Sequence, residues 1–231
     1  MVEQIPFSAP TFADPRLVEN PEPRCPVVLL LDNSGSMQGE PLNELNAGLV
    51  AFKDSLASDQ LAMKRVELAI VSFGPVKTVQ EFISPDIWTP PTLIAEGYTP
   101  MGEAIIQGLD LLEARKAEYK KAGLTYYRPW IFLMTDGTPT DAWQTAASRI
   151  HEGEAGKKHM FFGVGVGSAN LEVLGQICPP TRAPMMIKGL AFKPMFQWLS
   201  SSLRSISASK TTDKVALIDP RKGDEGWATT T

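Results

Sequence analysis

Residues 25–41 read CPVVLLLDNSGSMQGEP. The five apolar side chains Val27–Leu31 leave no polar face, which is how a strand buried on both sides is written. The strand ends on Asp32. A short polar break follows, and Pro41 opens a segment in which Leu42, Leu45, Leu49, Phe52 and Leu56 recur at spacings of three and four. That is one face of an amphipathic helix with proline in its first turn. Strand, loop and helix in this order predict a parallel α/β unit with its loop at the carboxyl end of the strand.

The same alternation continues outward. Further apolar runs lie at Val66–Phe73, Trp130–Met134, Met160–Val166 and, more weakly, Pro184–Ile187. Helical spacing is found after Thr99-Pro100 (Met101, Ile105, Leu109, Leu112, ending before Gly123), at Asn170–Ile177 and at Pro194–Ile206. A helix is also expected from about Thr140-Asp141 to Glu152, with those two residues as its caps. Val79–Ile83 reads as an edge strand turned back by Gly74-Pro75, and a proline-rich loop runs through Trp88. The fold class is therefore α/β, a mostly parallel sheet with helices on both faces. Residues 1–24, with five prolines and no sustained period, read as a leader, 25–207 as the domain, and 208–231 as a polar tail or a strap docked through Val215–Ile218 and Trp227.

With 231 residues, 43% hydrophobic and 21% charged, the chain can bury one sizeable core. Its net charge of −4 supplies no general basic footprint for nucleic acid or anionic lipid. Two histidines, His151 and His159, and two cysteines, Cys25 and Cys178, are too few for a zinc ribbon or a disulfide framework, so any metal would be held by oxygen. No apolar run approaches the roughly 18 residues of a membrane span, and no export signal is evident at Met1–Phe12. A cytoplasmic protein with separate thiols is expected.

Three segments carry oxygen donors at strand ends or loop-to-helix junctions. Asp32, Ser34 and Ser36 alternate along the first loop, Thr99 precedes the second long helix, and Asp136 follows the Trp130–Met134 strand. In an open α/β sheet the carboxyl edge is where ligands bind. Two carboxylates and three hydroxyls suit a hard cation, Mg2+ or Mn2+, and leave it a position for an outside anionic oxygen. Singly, Ser34, Ser36 and Thr99 also read as capping hydroxyls and Asp136-Gly137 as a turn, but three such segments at one edge favour a site. Tyr98 beside Thr99, and Trp88 among prolines, are candidate exposed contacts for a partner. Arg115, Lys116, Glu118, Lys120 and Lys121 read as a solvated helix face.

Asp-x-Ser-x-Ser, Gly-x-Thr-Pro-Met-Gly around Thr99 and Thr-Asp-Gly around Asp136 resemble, in order and spacing, the von Willebrand factor type A domain and its metal-ion-dependent adhesion site. The resemblance spans Pro26–Ser207 and is nearest to the bacterial tellurium-resistance TerY-like branch. Tyr98 stands where a second glycine is common, and Asn33 where threonine is. The resemblance implies a doubly wound sheet with one antiparallel edge strand, and Asp32, Ser34, Ser36, Thr99 and Asp136 as ligands of Mg2+ or Mn2+, some through water. It further implies a non-enzymatic module that captures an acidic side chain of a partner protein and switches conformation on doing so. The TerY-like branch implies a stress-response setting beside a protein kinase and a metal-dependent phosphatase. Two rival readings stand beside it: a Mg2+-dependent phosphohydrolase or phosphotransferase using Asp32, and a scaffold whose metal is structural only.

Overall fold

The computed structural model describes residues 17, 19–213, 215–222 and 226–229. Among these, seven strands form one sheet: β1 (Cys25–Asp32), β2 (Val66–Phe73), β3 (Val76–Ile83), β4 (Trp130–Thr135), β5 (Met160–Gly165), β6 (Met185–Ile187) and β7 (Ala228–Thr229). They lie in the order β3-β2-β1-β4-β5-β6-β7. β1 is central, pairing in parallel with β2 and with β4, and β5 and β6 continue the parallel run. β3 returns antiparallel on β2, as expected of Val79–Ile83, and starts three residues earlier. At the other edge the two-residue β7 pairs antiparallel with β6, an addition to the expected edge strand.

All eight residues of β1 are buried because helices cover both faces of the sheet. The period of two along the strand divides it: Val27, Leu29 and Leu31 pack in one core, Val28 and Leu30 in the other. The first core lies beneath α1 (Glu40–Ala57) and α6 (Phe192–Ser207), the second beneath α3 (Met101–Lys121), α4 (Gln144–Ala155) and α5 (Leu171–Ile177). The stripe Leu42, Leu45, Leu49, Phe52 and Leu56 is the buried face of α1. At Gly48 a Cβ would come within 2.7 Å of the Phe196 ring, so glycine permits the close approach of α1 and α6. A short helix not evident in the sequence pattern, α2 (Gln60–Arg65), precedes β2; the Asp59 carboxylate caps it by accepting from the Leu61 and Ala62 N–H groups.

Several expectations are corrected. Trp88 is fully buried rather than exposed, in edge-to-face contact with Phe52 at 6.1 Å, so it offers no partner contact. The loop holding it is drawn down on α1 by Lys53 Nζ, which donates to the Trp88 carbonyl, and by Asn46, which exchanges hydrogen bonds with both backbone groups of Leu93. The fourth helix starts at Gln144, not Thr140-Asp141, because Asp141 caps α3 instead, accepting from the N–H groups of Gly102 at 3.0 Å and Glu103 at 2.8 Å. Arg115 and Lys116 are buried rather than solvated. Glu67 of β2 draws Arg115 inward, accepting from its Nε at 2.7 Å, from the Tyr119 hydroxyl at 2.6 Å and from Arg24 Nε at 3.0 Å. At the other end of the domain, Trp227 is buried against Trp198, whose Nε1 donates to the Ile218 carbonyl.

Cys25 and Cys178 are free and buried, and burial pushes both thiols up to about 12. At pH 8 about one in ten thousand would be thiolate, so both are expected to resist iodoacetamide in the native protein and to react in 6 M guanidinium, as mass spectrometry would show. Trp88→Ala is expected to lower unfolding stability by about 3–5 kcal/mol in urea titrations.

Candidate metal centre

The carboxyl ends of β1 and β4 lie side by side, since Leu31 is paired with Met134 one residue before each strand ends. Asp32 and Thr135 are therefore neighbours, and Thr135 Oγ1 donates to Asp32 Oδ2 at 2.6 Å. The other oxygen, Oδ1, accepts from the Ser34 N–H at 2.8 Å, so the chain turns sharply after Asp32 and brings Ser34 and Ser36 back toward it. The two serine hydroxyls are 3.1 Å apart, and Ser36 Oγ donates to Asp136 Oδ1 at 2.7 Å. Two loops about a hundred residues apart in sequence thus meet through hydroxyl and carboxylate oxygens.

Thr99 enters from the loop before α3. Its backbone is clipped to the loop after β4: the Thr99 N–H donates to Thr140 Oγ1 at 3.2 Å and the Thr140 N–H to the Thr99 carbonyl at 2.9 Å. Thr99 makes no side-chain cap on α3, whose N-terminus Asp141 serves. A Cβ on Gly137 would lie 3.2 Å from Thr99 Oγ1 and 3.9 Å from Asp32 Oδ2, so glycine leaves those two donors facing a shared space. All five expected site residues, Asp32, Ser34, Ser36, Thr99 and Asp136, are gathered at this edge. The donors run from buried Asp32 to exposed Ser36, so the cluster is open to solvent on one side.

Among the described residues Asp32 has no ionic partner. Burial pushes its carboxyl up to about 6; hydrogen bonds from Ser34 and Thr135 pull it back, and the charge of Asp136 raises it further. Among the described residues no lysine or arginine forms an ion pair with Asp32 or Asp136. Nor do three or more His, Cys, Asp and Glu side chains gather anywhere among them, so the donor set here is two carboxylates and three hydroxyls. That set matches the all-oxygen preference of a hard divalent cation, and two uncompensated carboxylates match its charge.

Thr135 and Thr140 are given no part in the site by the sequence motifs, whereas Asp141, read there chiefly as a helix cap, supports the site by capping α3 beside Thr99. Thr135 donates to Asp32 and accepts the Gly137 N–H at 3.1 Å, so one hydroxyl orients both the buried carboxylate and the turn that carries Asp136. Its place as the last residue of a strand parallel to β1 was the available signal.

Comparison with known proteins agrees with this architecture. The family model of the von Willebrand factor type A domain matches residues 27–193. No curated protein matches the chain significantly. Among solved structures, the pilus adhesin SpaC of Lactobacillus rhamnosus GG superposes with a TM-score of 0.64 at 13% identity, covering 79% of this chain and 30% of the adhesin. Proximal thread matrix protein 1 of the mussel byssus gives 0.54 at 16% identity, over 79% of this chain and 48% of that one. The vWF domain of a type V pili tip protein from Porphyromonas gingivalis gives 0.50 at 11% identity, over 81% and 95%. The chain spans under half of the mussel protein and under a third of the adhesin, and at these identities the likeness is one of fold. The match over 27–193, together with the parallel sheet and its helical cover, shows that this chain belongs to the von Willebrand factor type A domain family.

Proposed function

We propose that this domain is a non-enzymatic, metal-dependent protein-binding module of the adhesion-site type. Asp32, Ser34, Ser36, Thr99 and Asp136 would hold Mg2+ or Mn2+, directly or through water. The observation that carries this reading is the buried Asp32 carboxylate, without a cationic partner among the described residues and set beside Asp136 among three hydroxyls at the carboxyl edge of the sheet. When bound, the cation supplies a coordination position open to an acidic side chain of a partner protein. The chain's own residues do the rest: Thr135 and the Ser34 N–H orient Asp32, Ser36 orients Asp136, and Thr140 fixes the Thr99 backbone. Tyr98, 80% exposed and adjoining Thr99 in sequence, would touch the partner.

Motif similarity to the TerY-like branch supports a role in a bacterial stress or tellurium-resistance system, with a protein kinase and a metal-dependent phosphatase as partners. The cytoplasm is the compartment that suits two buried, unpaired thiols. Among the described residues no helix is long and apolar enough to cross a membrane.

Asp32→Ala is expected to abolish Mg2+ uptake in calorimetry and Mg2+-dependent capture of partner proteins, while leaving the unfolding midpoint in EDTA unlowered. Partner capture that survives this substitution, or phosphatase turnover lost in Asp32→Asn, overturns the reading. Thr135→Val keeps the shape of the side chain but removes the hydroxyl, and is expected to weaken Mg2+ binding by about 10–100-fold without loss of fold.

A further inference from the structure

The loop from Leu93 to Thr99 is held to its neighbours at almost every residue. Asn46 binds both backbone groups of Leu93. Asn33 Nδ2 donates to the Ile94 carbonyl at 2.8 Å, the Glu96 N–H donates to the Asn33 carbonyl at 2.8 Å, and the Gly35 N–H donates to the Gly97 carbonyl at 3.2 Å. Thr99 is clipped to Thr140. The strip is thus tied to the loop that carries Asp32, Ser34 and Ser36, and ends on a further expected ligand. Leu93 is buried in the core, but the strip's other two large apolar side chains turn away from it: Ile94 is 73% exposed and Tyr98 80%. The anchored backbone sets where both are presented, so a partner would meet them preorganised.

The charges around this rim narrow what fits. Glu40 and Glu103 are exposed in the first turns of α1 and α3, whose N-termini lie at the same sheet edge, and Glu96 sits within the strip. Glu96 is paired with Lys77 at 3.0 Å, whereas among the described residues neither Glu40 nor Glu103 forms an ion pair. A phosphate or a run of acidic residues would meet repulsion here, whereas one carboxylate can be taken by the metal position and an apolar neighbour by Ile94 and Tyr98. Tyr98 directly precedes the expected ligand Thr99, and alternate residues of an extended segment are about 7 Å apart, so an apolar side chain within two positions of the acid stays on this rim.

Resting on the metal-dependent reading above, we propose that the occupant is an extended segment of a partner protein bearing a single Asp or Glu with an aromatic or aliphatic residue within two positions, the acid going to the metal and the apolar side chain to Ile94 and Tyr98.

The test is selection of displayed random heptapeptides on the full chain with Mg2+, with elution by EDTA. Enriched peptides are expected to carry one acid with an apolar neighbour, and the double variant Ile94→Ser, Tyr98→Ser to bind them at least about tenfold more weakly while its Mg2+ affinity in calorimetry is unchanged. Enriched acids with random neighbours, acidic runs, or undiminished binding by the double variant would overturn this inference and leave the metal-dependent reading standing. No EDTA-eluted peptide, or the same peptides recovered on Asp32→Ala, would overturn both.

Discussion

Everything at the candidate site depends on a carboxylate placed where water cannot solvate it. Asp32 ends a strand whose preceding residues are apolar because both faces of the sheet are covered, and that cover continues past the strand to enclose the carboxylate itself. A buried acid in this position needs hydrogen bonds, a proton or a cation. Thr135 and the Ser34 N–H supply the first in part. The remainder of the demand is what shapes the three loops around it, since each brings oxygen and none brings a positive charge.

Parallel topology is what makes that concentration possible. With β1, β2, β4, β5 and β6 running the same way, the loops that follow them emerge at one edge, and helix N-termini share it. The loops also bind one another and the helix beside them: Asn33 to Ile94 and Glu96, Thr99 to Thr140, Asp141 to the start of α3. An edge tied together this way holds donors from residues 32 to 136 in fixed relation without relying on any single long loop.

Much of this was legible in the primary structure, for a physical reason. Apolar runs and three-to-four spacings report burial directly, so the central strands and the stripe of α1 could be read locally. The five expected site residues were equally local, being polar residues that follow an apolar run or, for Thr99, precede a helical stripe. What escaped were relations between distant residues. Trp88 reads as exposed among prolines until Phe52, 36 positions away, is known to lie under it. Arg115 reads as solvated until Glu67 is seen beneath it. Asp141 looks like the cap of the helix that follows it, yet its carboxylate reaches across to another helix. Thr135 gains its role only from strand register, and α2 and β7 are too short to show a period.

The two edges of the sheet bear on how the molecule behaves in concentrated solution. An exposed strand edge is a template for pairing with another chain, and parallel sheets of this kind have one on each side. Here β3, with Lys77, Gln80 and Glu81 along it, presents charge and amide groups at one margin, and its pairing with β2 is irregular in register. At the other margin β6 is only three residues long and β7 covers it, anchored by the buried ring of Trp227. Among the described residues neither margin is a long, flat, apolar ribbon, so the sheet is guarded against pairing with a second copy along its sides.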